Sequence, residues 1–281
     1  MKNIILSVLF LCVTAYLYAQ DGIKSRSMYV NKSLTEFIEY NKEGEIVVKK
    51  SKIESEPVMW FDETFIYKND LLSKSSKYMN GASVADYEYF YDGRKMLERI
   101  REKQFDSVVS ITYLEYNAFD KINVETSYIG QLKKITTTYS YNDFQNVTNR
   151  TETIIDGDKI TILANDFIYD ENKNLVGLVS INNKDTISNI SFKYDAYGRE
   201  VRQDAISMGD TTLTILWNYK KNHAKPFIEQ HIADNSIVRQ TKFFYQKNGL
   251  IKKEIIVDYR NYSGKMKPEK MNKVYKYEMH D

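Results

Sequence analysis

From residue 21 onward the chain alternates apolar and polar positions, and its apolar stretches end on a tyrosine that is followed by a polar turn. Aligned on that tyrosine, the anchors are Tyr40, Tyr67, Tyr91, Tyr116, Tyr141, Tyr169, Tyr194, Tyr219 and Tyr245, with a terminal echo at Tyr277. The period is near 25 residues and runs through essentially the whole chain after the first twenty residues. Two positions before each anchor stands a large apolar or aromatic residue: Ile38, Phe65, Tyr89, Leu114, Tyr139, Phe167, Phe192, Trp217, Phe243 and Tyr275. The residue between is mixed. A constant class at a spacing of two marks a strand, because alternate side chains share a face; a helix would show its constancy at three and four.

Turn chemistry follows each anchor. Tyr40-Asn41-Lys42-Glu43-Gly44 and Tyr194-Asp195-Ala196-Tyr197-Gly198 place Asn or Asp where it opens a turn, and Gly where the left-handed conformation of a bulged hairpin is needed. At Asp120, Gln145 and Lys173 that glycine has decayed. A second turn falls about fifteen residues after each anchor, at Asn80-Gly81, Asp106-Ser107, Gly130, Asp156-Gly157-Asp158, Asn182-Asn183, Gly209-Asp210 and Asp234-Asn235. Each period therefore holds two strands of about eight residues, or roughly 27 Å at the usual rise. The pattern predicts an all-β chain: a long antiparallel meander of about nine β-hairpin repeats, roughly 18 strands, forming one domain over 21–281. Open sheets of that width curl or split. The expectation is a curled single sheet with the aromatic ladder on its inner side; the alternatives are a two-layer β-sandwich or a barrel.

The first twenty residues read differently. Lys2 precedes an almost uncharged apolar run, Ile4 to Leu17, and Ala19-Gln20 leads into polar sequence. This is the pattern of a signal peptide over 1–20, with an apolar run short for a membrane span. No stable membrane span is expected once it is removed. The single cysteine, Cys12, lies inside it, so the remainder has no disulfide and no Cys-ligated metal. The expected location is exported: periplasmic, cell-surface or secreted, in a bacterium. The net charge of +2, with lysine and glutamate interspersed, offers no case for nucleic acid.

The string Tyr194-Asp195-Ala196-Tyr197-Gly198-Arg199 resembles the YD (Rhs-type) repeat family of bacterial secreted and surface proteins. Tyr40-Asn41-Lys42-Glu43-Gly44 and Tyr169-Asp170 are weaker copies, and the period is longer than that family's usual one. The resemblance implies a spiral of β-hairpins, in some members closed into a shell around a toxin, and a capacity to bind carbohydrate. With so few repeats, the fold is expected to carry over and the encapsulating role is not.

Little in the chain suggests catalysis. His223 falls at a turn, His231 in mid-strand and His280 near the end; His231, Asp234 and a serine are the nearest approach to a triad, with no spacing that joins them. Asp170 to Asn174 begins like a calcium loop but has Leu175 and Ile181 where Gly and Glu are required. The expectation is a non-enzymatic scaffold or binding protein, without a cofactor, whose partner is a protein or glycan at the cell envelope. Its candidate binding residues are the ladder aromatics Tyr89, Tyr91, Tyr139, Tyr141, Trp217 and Tyr219, which offer an apolar ring and a polar tip. The alternatives are an outer-membrane β-barrel, against which the charged return strands Leu97–Lys103 and Arg199–Asp204 weigh, and an unrecognised hydrolase.

Overall fold

A computed structural model describes residues 22–53, 57–207, 212–221, 223–260 and 268–279. The expected leader, the turn at Gly209-Asp210 and His280 lie outside the described residues. The rest is strand and turn. The first five strands are β1 (Ile23–Val30), β2 (Ser33–Tyr40), β3 (Ile46–Ile53), β4 (Met59–Lys68) and β5 (Leu71–Met79). Then come β6 (Ala82–Tyr91), β7 (Leu97–Gln104), β8 (Ser107–Tyr116), β9 (Ile122–Ile129) and β10 (Lys133–Tyr141). They are followed by β11 (Val147–Asp156), β12 (Lys159–Tyr169), β13 (Leu175–Asn182), β14 (Asp185–Tyr194) and β15 (Glu200–Ser207). The last are β16 (Thr212–Tyr219), β17 (Pro226–Ala233), β18 (Ser236–Tyr245), β19 (Ile251–Asp258) and β20 (Glu269–Met279).

Every strand pairs antiparallel with the next, as the period predicts, in a single sheet of 20 strands. The expected curled open sheet is corrected at one place: β1 also pairs with β20, from Ile23 opposite Met279 to Val30 opposite Lys273. The meander therefore closes into a barrel. The physical reason lies at the anchors. The register slips by one residue at Tyr40, Tyr67, Tyr91, Tyr116, Tyr141, Tyr169, Tyr194, Tyr219 and Tyr245, each time between the tyrosine and the residue before it. A β-bulge bends its strand and sharpens the twist. Repeated at one end of every second strand, the same bend brings the first and last strands together, and closure then removes both free edges.

The tyrosine-bearing face lines the inside. Ile38, Ser75, Ala85, Thr137, Leu178, Ser180, Thr241, Glu254 and Ile256 are buried and all lie on it. On the opposite face Ile66, Tyr113, Ile162, Ile168 and Phe244 are exposed. Side chains converge on the concave side of a curved sheet and spread on the convex one. At the usual strand spacing and tilt, a circular wall of this many strands has a radius of about 20 Å, too wide for side chains to fill. Among the described strands, each approaches only its two ladder neighbours. The molecule is a single-walled, hollow cylinder. Its small apolar core sits at the seam, where Ile23, Ile38 and Tyr40 pack with Ile46, Leu250 and Tyr277.

Candidate functional site: the tyrosine rim and its cleft

The anchors form a belt around the inside of one rim. From Tyr67 onward each hydroxyl donates to the backbone carbonyl of a residue at or beside the start of the preceding return strand: Tyr67 to Ile46, Tyr91 to Leu72, Tyr116 to Leu97, Tyr141 to Ile122 and Tyr169 to Val147. The series continues with Tyr194 to Leu175, Tyr219 to Glu200, Tyr245 to Pro226 and Tyr277 to Ile251, with distances from 2.7 to 2.9 Å. A bulge leaves carbonyls without a ladder partner, and a tyrosine from the next hairpin reaches each of these. Burial pushes the phenols of Tyr67, Tyr91, Tyr116, Tyr141, Tyr194, Tyr219, Tyr245 and Tyr277 up from their ordinary value, to about 12 for Tyr67 and Tyr245.

The turns beyond the belt are built by the residue after each anchor. Asn142 Oδ1 accepts from the backbone N–H of Phe144 and Asn146, each at 3.0 Å. Asn117 accepts likewise from Phe119 and Lys121, Asp92 from Arg94 and Met96, and Asp195 from Tyr197 and Arg199. In the motif copy, Arg199 Nε donates to Asp195 at 2.7 Å and Nη1 donates to the carbonyl of His223 at 2.7 Å, while its guanidinium lies 4.5 Å from the centre of the Tyr219 ring. The arginine thus fastens one hairpin to the next.

The six ladder aromatics of the sequence reading all have their polar tips occupied by the wall. Tyr91, Tyr141 and Tyr219 belong to the belt. One step deeper, Tyr89 shares a hydrogen bond with Ser75 at 3.1 Å, Tyr139 donates to Glu125 at 3.4 Å, and Trp217 Nε1 donates to Glu229 at 3.2 Å. Around them runs a polar inner wall. Arg150 is bonded to Glu152 at 2.8 Å, and Tyr275 donates to Glu254 at 2.7 Å. His231 Nε2 and Glu229 Oε1 are 2.8 Å apart. Burial works to raise Glu229, but the donors His231 and Trp217, with Arg239 nearby, hold its carboxyl below the ordinary value. Asp234 lies in the turn after β17, at a φ of 49°, and His231 is engaged with Glu229 instead.

The barrel places the three aromatic pairs in different sectors, on β6, β10 and β16. The β10 pair opens onto a cleft. Between the β8–β9 and β10–β11 turns a space of about 510 Å³ is lined by Phe119, Tyr139, Tyr141, Asn123, Asp143 and Gln145, among others. Phe119 is 66% exposed there. The same turn position, three after the anchor, holds the exposed Phe144 and Tyr197. Lys173 stands 4.0 Å over Phe144 and Arg199 stands 4.9 Å over Tyr197. Among the described residues no cation covers Phe119. These rim aromatics escaped the sequence reading, though their fixed offset from Tyr116, Tyr141 and Tyr194 was a usable signal. The cleft presents an uncovered aromatic face ringed by amide and carboxylate side chains. That combination suits a ligand with an apolar face and several hydroxyls. Among the described residues no group of His, Cys, Asp and Glu is placed to hold a metal.

No family model matches the chain, and no curated protein matches it. Among solved structures it is similar to the TcdB2–TccC3–TEV crystal structure, at 10% identity and a TM-score of 0.42 over 89% of this chain and 16% of that one. The chain thus spans about a sixth of that neighbour's length. It is also similar to a porin-like protein from Bacteroides uniformis, at 12% identity and a TM-score of 0.43 over 91% of this chain and 98% of that one. Both scores lie below 0.5.

Proposed function

We propose that the chain is a non-enzymatic, water-filled β-barrel of the bacterial cell envelope that binds a glycan at its tyrosine rim. The observation that carries this is the cleft beside Phe119, Tyr139 and Tyr141. An aromatic platform beside Asn123, Asp143 and Gln145 provides stacking for a sugar face and partners for its hydroxyls. The outward face supports a barrel standing in water: Lys50 meets Asp62 at 3.7 Å, Arg101 and Lys103 both meet Glu88, and Arg202 meets Asp204 at 2.7 Å. A lipid-facing band would have to be apolar across its height. Descent from the YD repeat family is supported by Tyr194 to Arg199, where each motif residue has a distinct mechanical task. A glycan array followed by calorimetry tests the role. Phe119→Ala should weaken the glycan identified on the array at least tenfold while leaving the melting temperature unchanged; undiminished binding would sink the cleft assignment.

A second reading, an outer-membrane barrel, is favoured by the closure through β1 and β20. Detergent phase separation distinguishes the two. The water-standing barrel enters the aqueous phase, and an integral one enters the detergent phase.

A further inference from the structure

The seam that joins the two ends of the chain carries a cavity on its outer wall. Tyr275 and Tyr277 turn into the lumen, so Val274 and Lys276 beside them face outward. There a space of about 610 Å³ is floored by Tyr29 and Val274, which stand opposite one another across the seam, with Asn272, Lys32, Lys253 and Lys276 among its walls. These residues come from β1, the β1–β2 turn, β19 and β20, so closure of the barrel is what assembles them. Lys253 lies opposite Val274, which makes Lys276 its diagonal neighbour, about 7 Å away along the sheet.

The charge in this cavity is of one sign. Elsewhere on the outer wall lysines meet carboxylates: Lys24 meets Glu278 at 3.6 Å, Lys50 meets Asp62 at 3.7 Å and Lys103 meets Glu88 at 2.6 Å. Among the described residues Lys32, Lys253 and Lys276 pair with no carboxylate, and no carboxylate lines the cavity. Like charges gathered without a counter-charge repel, and a bound anion relieves that repulsion. The Lys276 ammonium lies 4.7 Å from the centre of the Tyr29 ring, which holds it at the cavity while its N–H donors remain for a ligand. The space is far larger than one phosphate or sulfate fills, and its floor is apolar. A sugar chain carrying acid groups complements every part of it. Its ring faces suit Tyr29 and Val274, its hydroxyls suit the Asn272 amide, and its charges suit the three lysines.

We propose that this cavity binds an acidic oligosaccharide, whose carboxylate or sulfate groups pair with Lys32, Lys253 and Lys276. The site is separate from the rim cleft. Because closure completes it, the ligand clasps β1 to β20 and stabilises the closed barrel. Calorimetry and thermal melts of the purified chain test this with four probes: an oligogalacturonate, a heparin oligosaccharide, a neutral maltooligosaccharide of the same length and inorganic phosphate. At least one acidic sugar should bind, more weakly as salt rises, and should raise the melting temperature; which of the two binds tells carboxylate from sulfate. The neutral sugar and phosphate should bind at least tenfold more weakly. Lys253→Gln with Lys276→Gln removes like charges, so without ligand the variant should melt no lower than the parent. It should bind the acidic sugar at least tenfold more weakly and lose the rise in melting temperature. Failure of both acidic sugars to bind would overturn the proposal, as would equal binding by the double variant or phosphate binding as tight as theirs. Binding lost in Phe119→Ala and kept in the lysine variant would move the ligand to the rim cleft. Capture of the chain by phosphatidylglycerol vesicles, lost in the lysine variant and not displaced by the acidic sugars, would assign the lysines to a lipid headgroup instead.

Discussion

A tyrosine hydroxyl is a small group on which to hang a repeat, yet here its bond explains why the residue is tyrosine and not phenylalanine. The ring covers the bulge from inside, and the hydroxyl satisfies a carbonyl that the bulge has stranded. Phenylalanine would keep the first function and lose the second. Tyr91→Phe and Tyr219→Phe should each lower stability by about 1 kcal/mol, the net worth of one hydrogen bond. Far apart on the wall, the two costs should add; urea unfolding of the single and double variants measures both. The same phenols predict a response to alkali. Burial raises Tyr67, Tyr87 and Tyr245 from about 10 to about 12. A raised folded value means that the neutral form is the one the fold favours. Their contribution is complete below pH 10 and is lost as the pH climbs through 12. Circular dichroism and phenolate absorbance should therefore move together in that window.

Among the elements, the turns hold their shape better than their composition. Gly44, Lys95, Asp120, Gln145, Lys173, Gly198 and Gly249 all have φ between 57° and 82°. The copies that look decayed in sequence keep the left-handed residue because the Asn or Asp three positions earlier imposes the turn through its side chain. This gives two opposite expectations. Asn142→Ala removes the acceptor for two backbone N–H groups and should cost about 1 kcal/mol. Lys95→Gly relieves a left-handed side chain and should gain about 1 kcal/mol. Thermal melts of the pair check both signs. The strands and the face carrying the aromatics were legible from a spacing of two. A bulged hairpin was legible at Gly44 and Gly198, but closure of the sheet was not, since nothing in the decayed copies at Asp120, Gln145 and Lys173 shows that the bulge recurs at every anchor. The open cleft at Phe119 was also hidden, because the cation that covers a turn aromatic has no fixed offset: Lys173 comes from the next hairpin for Phe144, and Arg199 from two residues on in the same turn for Tyr197.

For the whole molecule, closure decides everything that the repeat leaves open. Nothing in Ile23–Val30 or Glu269–Met279 marks the two as partners; they meet because the accumulated bends leave them adjacent. A chain ending at Asp258 keeps its hairpins but exposes the edges of β1 and β19. Light scattering should then find it self-associated, where the full chain is monodisperse.

That partnership also sets an order of events. Ser25 and Glu278, joined across the seam at 3.2 Å, are 253 positions apart in the chain. Each hairpin can zip onto its predecessor as it emerges, but the N-terminal strand must wait, one side unclaimed, until the final strand has been made. Local pairing is fast and such a distant contact is slow. The vulnerable species during biogenesis is therefore a nearly complete spiral with an adhesive leading strand, and a chaperone that masks Ile23–Val30 would do more for the yield than one acting anywhere else.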